Sequence, residues 1–245
     1  MEALILRVDA PMMSFGGVVV DQHGFTDRFP GQAMLTGLFA NALGLSHGDS
    51  RELEGLQSRV KYAARWDVAP QPLLDYQTVD LGQDSMKEAG WTTRGKPEQR
   101  GKGEATAGTS QRFRHYWADG LMTIAVALDS DDWPSLEHLG QALRHPKRPL
   151  FLGRKSCVPA RPLLDPTTPL VSGPNLLDIL RSVGAWDRAG RRRVHSGQLE
   201  ACWPADGTQQ SGSGRPVYDL RDWRNQLMAG SRWRSEGLIA VDGQQ

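Results

Sequence analysis

The sequence predicts an α+β domain, a split βαβ arrangement with a weaker C-terminal extension. Three observations carry that prediction. Two aliphatic runs, Ala3 to Val8 and Leu121 to Leu128, are too short for core helices and read as strands. Each is followed by a segment with helical spacing, Ala33 to Leu45 after the first and about Trp133 to Arg144 after the second. Between the two units lies a glycine-rich, charged stretch that cannot bury itself.

Taken in order, the opening strand stops at Asp9-Ala10-Pro11, where proline has no N–H for a ladder. The first helix carries Leu35, Leu38, Phe39, Ala42 and Leu43 on one side, and Gly44 supplies a stop. Glu52 to Val60 reads as a further short helix before a strand around Val60 to Trp66. From Gly82 to Gly108 aliphatic residues almost vanish, and a loop of that length is usually functional or disordered. The chain resumes at Phe113 to Tyr116 and the strand Leu121 to Leu128. Its following helix would use Asp132 as cap and Pro134 in the first turn. After Pro166 the pattern weakens: Asn175 to Val183 reads as a helix, and 207–214 as a linker-like stretch.

Composition narrows the function classes. The 245 residues make one large domain or two small ones, and 29 Lys plus Arg against 28 Asp plus Glu exclude a polycationic chain but not a local basic groove. The two cysteines, Cys157 and Cys202, fit neither a zinc module nor a disulfide framework, which points to a reducing cytoplasm. No export signal is visible, since Glu2 stands where a signal peptide carries bases, and no apolar run approaches the ~20 residues of a membrane helix.

The motifs with chemical meaning are few. Gly90 to Lys96 has the glycine and lysine spacing of a phosphate-binding loop, but Pro97 stands where Ser or Thr must hold magnesium. No histidine pair has helical metal-site spacing, so neither a metal nor another cofactor is expected. His115, flanked by Arg114 and Tyr116, is the one candidate general base toward an RNA 2′-hydroxyl; the competing reading is a polar residue beside a core strand. Arg94, Lys96, Arg100, Lys102, Arg112 and Arg114 face only Glu98 and Glu104 in their segment. A flexible arm with that balance suits phosphate contact, and Trp91 offers a ring for stacking; a solvated charged loop is the alternative.

Five separated segments resemble the CasD family, the type I-E form of the fifth CRISPR-associated subunit of the Cascade surveillance complex. Leu4-Ile5-Leu6-Arg7, Ala10-Pro11-Met12 and Ser14-Phe15-Gly16 are similar to its opening strand and loop. Arg28-Phe29-Pro30 with Leu35-Thr36-Gly37-Leu38 is similar to its entry into the first helix, and Tyr76-Gln77-Thr78-Val79 to its Tyr-His-Thr-Val turn. Arg114, Tyr116 and Asp119 match its Arg-x-Tyr-x-x-Asp, and Pro149 to Cys157 its Leu-Gly-Arg-Lys-Ser-Cys segment.

The resemblance implies a ferredoxin-like (RRM-type) βαββαβ domain over 1–165, a projecting thumb at about 82–110, and a C-terminal extension over 166–245. It implies a noncatalytic subunit that binds the 5′ handle of the CRISPR RNA, caps the filament of backbone subunit CasC and contacts the large subunit CasA. Target DNA would be met only through the complex. The RNA contacts expected are Ser14, Phe15, Arg28, Tyr76, Thr78, Arg112, Arg114, Arg154 and Lys155, with Lys96, Arg100 and Lys102 on the thumb. For Arg154 and Lys155 a structural turn is the alternative.

A metal-independent endoribonuclease using His115 with Tyr62 or Tyr76 is the alternative function. A third reading makes Trp186, Trp203, Trp223 and Trp233 interface anchors, against a preferred role in the core. Three departures from the family stand out. Pro30-Gly31-Gln32-Ala33-Met34 loses a cation and a hydroxyl at a helix start suited to phosphate, Gln77 replaces histidine, and Phe15 replaces tryptophan.

Overall fold

The computed structural model describes residues 1–17, 19–80, 90–91, 97–98, 109–189, 191–193, 197–205 and 214–241. Strand β1 (Glu2–Asp9) is buried along almost its whole length, with Leu4, Leu6 and Val8 in one core and Ala3 and Ile5 in another. That explains its unbroken aliphatic run, since a strand covered on both faces has no solvent side to make polar. Short strands β2 (Met12–Met13), β3 (Val19–Val20) and β4 (His23–Gly24) occupy the following loop. Helix α1 (Gln32–Leu43) ends at Gly44, whose φ of 86° is left-handed and whose N–H returns to the carbonyls of Ala40 and Asn41. Helix α2 (Ser50–Arg59) runs straight into β5 (Val60–Val68).

Strands β6 (Gln71–Asp80) and β7 (Thr109–Ala118) form one antiparallel ladder, from Gln71 opposite Ala118 to Asp80 opposite Thr109. The excursion is therefore rooted in a ten-residue ribbon, and Tyr76 to Val79 lie in a strand rather than in a turn. Strand β8 (Leu121–Leu128) follows, then helix α3 (Leu136–Arg144). Its cap is Ser135 rather than Asp132: the Ser135 hydroxyl accepts from the His138 amide, and the His138 ring reaches back to the Ser135 N–H.

The C-terminal third is more regular than its sequence suggests. It supplies β9 (Leu170–Ser172), α4 (Leu176–Ser182) capped by Asn175, β10 (Gln198–Pro204), β11 (Gly214–Val217) and β12 (Arg232–Ala240). All four strands join the main sheet, whose order is β9-β1-β8-β5-β10-β12-β11 with every neighbouring pair antiparallel. The sheet thus runs across residue 165 without interruption. Counting only β1, β5, β8 and β9 in chain order, the arrangement is fourth, first, third, second.

Each face of this sheet has its own cover. Helices α1, α2 and α3 place Leu35, Leu38, Phe39, Leu56, Leu139 and Leu143 against Leu4, Leu6, Tyr62, Trp66, Ile124 and Val126. Helix α4 covers the other face, where Ala3, Ala63, Ala125, Ala127 and Ala201 are small enough to admit Leu176, Ile179 and Leu180 closely. Beside α4 that face is polar and buried. Asp67 accepts from Arg7 Nη1 (3.0 Å), Arg65 Nε (2.7 Å) and Thr123 Oγ1 (2.6 Å), while Arg7 Nε pairs with Asp165 (2.7 Å). Arg65 also donates to the carbonyls of Leu180 and Val183, so the network ties the end of α4 to the sheet.

A second sheet stands apart, centred on β7. Strand β6 pairs along the whole of it; on its other side β2 pairs antiparallel at Trp117 and Ala118, and β4 parallel at Phe113 and Arg114. Among the described residues, no helix is long and apolar enough to cross a membrane.

Candidate nucleic-acid interface

Strand β7 reads Gln111-Arg112-Phe113-Arg114-His115-Tyr116-Trp117, and successive side chains of a strand point to opposite faces. Phe113, His115 and Trp117 therefore share one face, and Arg112, Arg114 and Tyr116 the other. The ladder register adds Leu74, Tyr76 and Thr78 to the aromatic face, opposite His115, Phe113 and Gln111.

Strand β4 and its neighbour Phe25 extend that face into a row of rings. Tyr76 packs on Phe113 (centroids 5.0 Å, 30°), Phe113 on His23 (4.6 Å, 9°), and His23 on Phe25 (5.7 Å, 12°). Phe25 also meets His115 at 4.7 Å. The outer rings are open, Tyr76 being 53% and Phe25 43% exposed. His23 Nδ1 and His115 Nε2 are enclosed without a hydrogen-bond partner.

The other face of the ribbon is cationic. Arg112 and Arg114 are exposed, stand opposite Gln77 and Asp75, and have no ion-pair partner among the described residues. Asp75 instead accepts from Gln77 Nε2 at 2.6 Å.

Arg154 has a different task. Its guanidinium lies over the Tyr116 ring (4.7 Å) and donates to the carbonyls of His115 (3.1 Å) and Gly24 (2.9 Å). It thereby fastens β4 beside β7. A side chain on Gly24 would meet Arg154 Nη2 at 2.9 Å, and one on Gly153 would stand 1.6 Å from the Ser14 carbonyl oxygen. Ser14 N donates to Leu152 O across the same junction. The Leu-Gly-Arg segment is thus a latch between the loop after β1 and the second sheet. Lys155 beside it is exposed.

Several expected site residues are enclosed or already partnered. Ser14 and Phe15 are 1% and 3% exposed, with Phe15 packed toward Trp66, so neither lines an open path. Arg28 lies between Trp66 and Trp117 and forks onto Glu200 at 2.8 and 2.5 Å. Tyr62 is buried under the first helix, donates to Pro30 O, accepts from Arg232 (2.6 Å), and has its phenol pushed up by burial. Its hydroxyl is thus occupied on both sides within the main core. Lys96, Arg100 and Lys102, with the side chain of Trp91, lie outside the described residues.

The helix start that lost its cation is occupied by the chain itself. Asp219 accepts from Gln32 N (2.9 Å) and from Arg232 (2.8 Å), and a Cβ on Gly31 would press on Asp219 Cβ at 3.2 Å. Of the four tryptophans, Trp186 and Trp223 are buried, Trp203 is partly buried, and Trp233 is exposed. Among the described residues no cluster of His, Cys, Asp and Glu could hold a metal ion.

His23, Phe25 and Phe113 were not foreseen. For Phe113 a signal exists, the alternation of rings and cations from Arg112 to Trp117. His23 and Phe25 join only through the parallel pairing of β4 on β7, which links residues about 90 apart and leaves no local trace.

Comparison with known proteins gives concordant matches. The family model described as "CRISPR-associated protein (Cas_Cas5)" matches residues 3–235. The CRISPR system Cascade subunit CasD of Escherichia coli (strain K12) is 29% identical over 168 residues, 65% of this chain and 68% of that protein. A chain of a solved CRISPR RNA-guided surveillance complex superposes with a TM-score of 0.67 at 22% identity, covering 98% of this chain and 90% of its own. A crystal structure of a Cas protein gives 0.61 at 21% identity, covering 98% of both chains.

Proposed function

Because the chain belongs to the CRISPR-associated Cas5 family, we propose that it is a noncatalytic subunit of a Cascade-type complex whose β6–β7 ribbon grips the unpaired 5′ handle of the CRISPR RNA. The carrying observation is the pair Arg112 and Arg114, exposed and without ion-pair partners among the described residues on a ribbon whose other face is aromatic. Unpaired cations on an accessible strand are what a phosphate backbone requires, since each contact releases a counterion. The similarity to CasD, a Cascade subunit, supports assembly with the backbone subunit CasC and the large subunit CasA, with the protein capping the filament and meeting target DNA only through the complex.

The strand order fourth, first, third, second, with helical connections after the first and third strands, supports a ferredoxin-like (RRM-type) unit. Burial of Tyr62 and enclosure of His115 Nε2 support the noncatalytic reading, since the phenol and that ring nitrogen are both closed to a 2′-hydroxyl.

Two measurements test this. Arg112→Gln with Arg114→Gln should reduce the slope of log K against log salt for single-stranded repeat RNA by about 1.4, at about 0.7 per phosphate contact. An unchanged slope would remove the ribbon from the RNA site. Labelled repeat RNA incubated with the chain in EDTA should be recovered intact, whereas cleavage at one position would establish the endoribonuclease.

A further inference from the structure

We propose that the aromatic face of the β6–β7 ribbon is a nucleobase-stacking site, in which Tyr76 and Phe25 offer open ring faces to unpaired bases of single-stranded RNA. The inference rests on the RNA-binding reading and deepens it, assigning the bases to one face and the phosphates to the other.

The arrangement of the rings carries the argument. Phe113, His23 and Phe25 stand nearly parallel, at 9° and 12°, with centroids 4.6 and 5.7 Å apart. The core pair Phe15 and Trp66 is by contrast tilted at 40°. Tyr76 continues the row at 30° to Phe113, and the two outermost rings, Tyr76 and Phe25, are the open ones. The ends therefore present what a base requires, an accessible face on a ring held from behind. Phe113 backs Tyr76, and His23 backs Phe25.

The row is also built to hold its position. Arg154 pins Gly24 and His115 by their carbonyls, fixing the strand that carries His23 beside the one that carries Phe113. Phe113 N donates to Gln22 O at 2.9 Å, which closes the same junction from the other side. A rigid platform loses little entropy on binding, the condition under which stacking yields affinity.

Charge selects the occupant. Arg112 and Arg114 alternate with Phe113 and His115 along one strand, so a chain folded over the outer edge of β6, which pairs with no strand among the described residues, meets cations on one face and rings on the other. Single-stranded nucleic acid has the complementary pair of properties, phosphates and unstacked bases. An apolar peptide would use the rings and leave both arginines without counterions.

The test uses the full chain and two probes of the same length, a single-stranded oligoadenylate of about eight nucleotides and its analogue with abasic sites at alternate positions. Tyr76→Leu and Phe25→Leu keep apolar bulk but remove the ring; Tyr76→Trp and Phe25→Tyr keep a ring. Each leucine variant should bind the intact oligonucleotide roughly five- to a hundredfold more weakly and the abasic one almost unchanged, while the ring-retaining variants bind both like the parent. Leucine variants that bind intact RNA normally, while Arg112→Gln and Arg114→Gln weaken it, would overturn stacking and leave phosphate gripping intact. Equal weakening on both probes would make the rings structural and also overturn the proposal. Failure of the parent chain to bind either probe would sink this inference and the RNA-binding reading together.

Discussion

Replacing Asp67 by Asn tests whether the buried polar network holds the C-terminal third onto the sheet. The carboxylate receives four donors, Arg7 Nη1 at 3.0 Å, Thr123 Oγ1 at 2.6 Å and Trp186 N at 2.9 Å on one oxygen, and Arg65 Nε at 2.7 Å on the other. Asn keeps the shape but replaces one acceptor with an N–H2 group. Turned either way, that group faces at least one donor. Arg7 keeps Asp165 at 2.7 Å as counterion, but Arg65 is left with only the carbonyls of Leu180 and Val183. Removing one partner of a buried ion pair costs about 3–5 kcal/mol, against a total stability of about 5–15 kcal/mol. Urea unfolding at neutral pH, followed by tryptophan fluorescence, should show a loss of that size. Thr123→Val, which removes one donor at nearly constant volume, should lose about 1–2 kcal/mol. A loss below about 1 kcal/mol for Asp67→Asn, with an unchanged denaturant slope, would refute the reasoning.

Other outcomes follow from single features. Burial would raise Asp165, but the Thr168 and Thr167 amides and the Arg7 guanidinium outweigh it and hold its carboxyl at about 2. Depression from 3.8 makes its contribution, about 2 kcal/mol, complete above pH 4 and lost as pH falls through about 2; Asp165→Asn should flatten stability over that window. Gly153→Ala should lower the melting temperature and loosen the second sheet. It forces a side chain into a backbone at φ 93°, costing about 1–2 kcal/mol before the clash with the Ser14 carbonyl is relieved. Burial pushes the Cys202 thiol up to about 12 and raises Cys157 as well, so a disulfide reagent at pH 8 should label neither until the chain unfolds; rapid labelling of the native chain would contradict that packing.

The elements legible in the sequence were those whose order depends on local pattern. The run Leu121 to Leu128 declared a strand because it is buried throughout, and Leu35, Leu38, Phe39 and Ala42 declared a helix because they meet one core cluster at helical spacing. Strand β6 escaped because nearly all its residues are exposed, so Leu73, Leu74, Tyr76 and Val79 show no burial alternation. Strands β10 and β12 escaped for the opposite reason: Glu200, Arg234 and Glu236 make them look like surface, yet their charges are spent on Arg28, Asp27 and each other. Of the site, the exposed cations and Tyr76 were readable, whereas burial of Ser14 and Phe15 depends on contacts with distant segments.

Those distant contacts also separate what makes the sequence recognisable from what would touch RNA. The Leu-Gly-Arg segment carries the most specific resemblance, and it meets another matching segment, the loop after β1: Leu152 O accepts from Ser14 N, and Gly153 leaves no room for a side chain. Their constraint is mutual fit, which fixes residue identity tightly because a backbone approach tolerates only glycine and a two-carbonyl grip needs a guanidinium. The ribbon they support is under looser constraint, since a phosphate accepts any well-placed cation and a base any flat ring. Arg154 illustrates the division of labour. Placed by sequence among the RNA contacts, it uses its donors on Gly24 and His115 and so holds the rings in a row. Its substitution by lysine should lower affinity through a displaced β4, shrinking the gap between intact and abasic probes while leaving the salt slope unchanged. Loss of salt dependence alone would return Arg154 to the phosphate contacts.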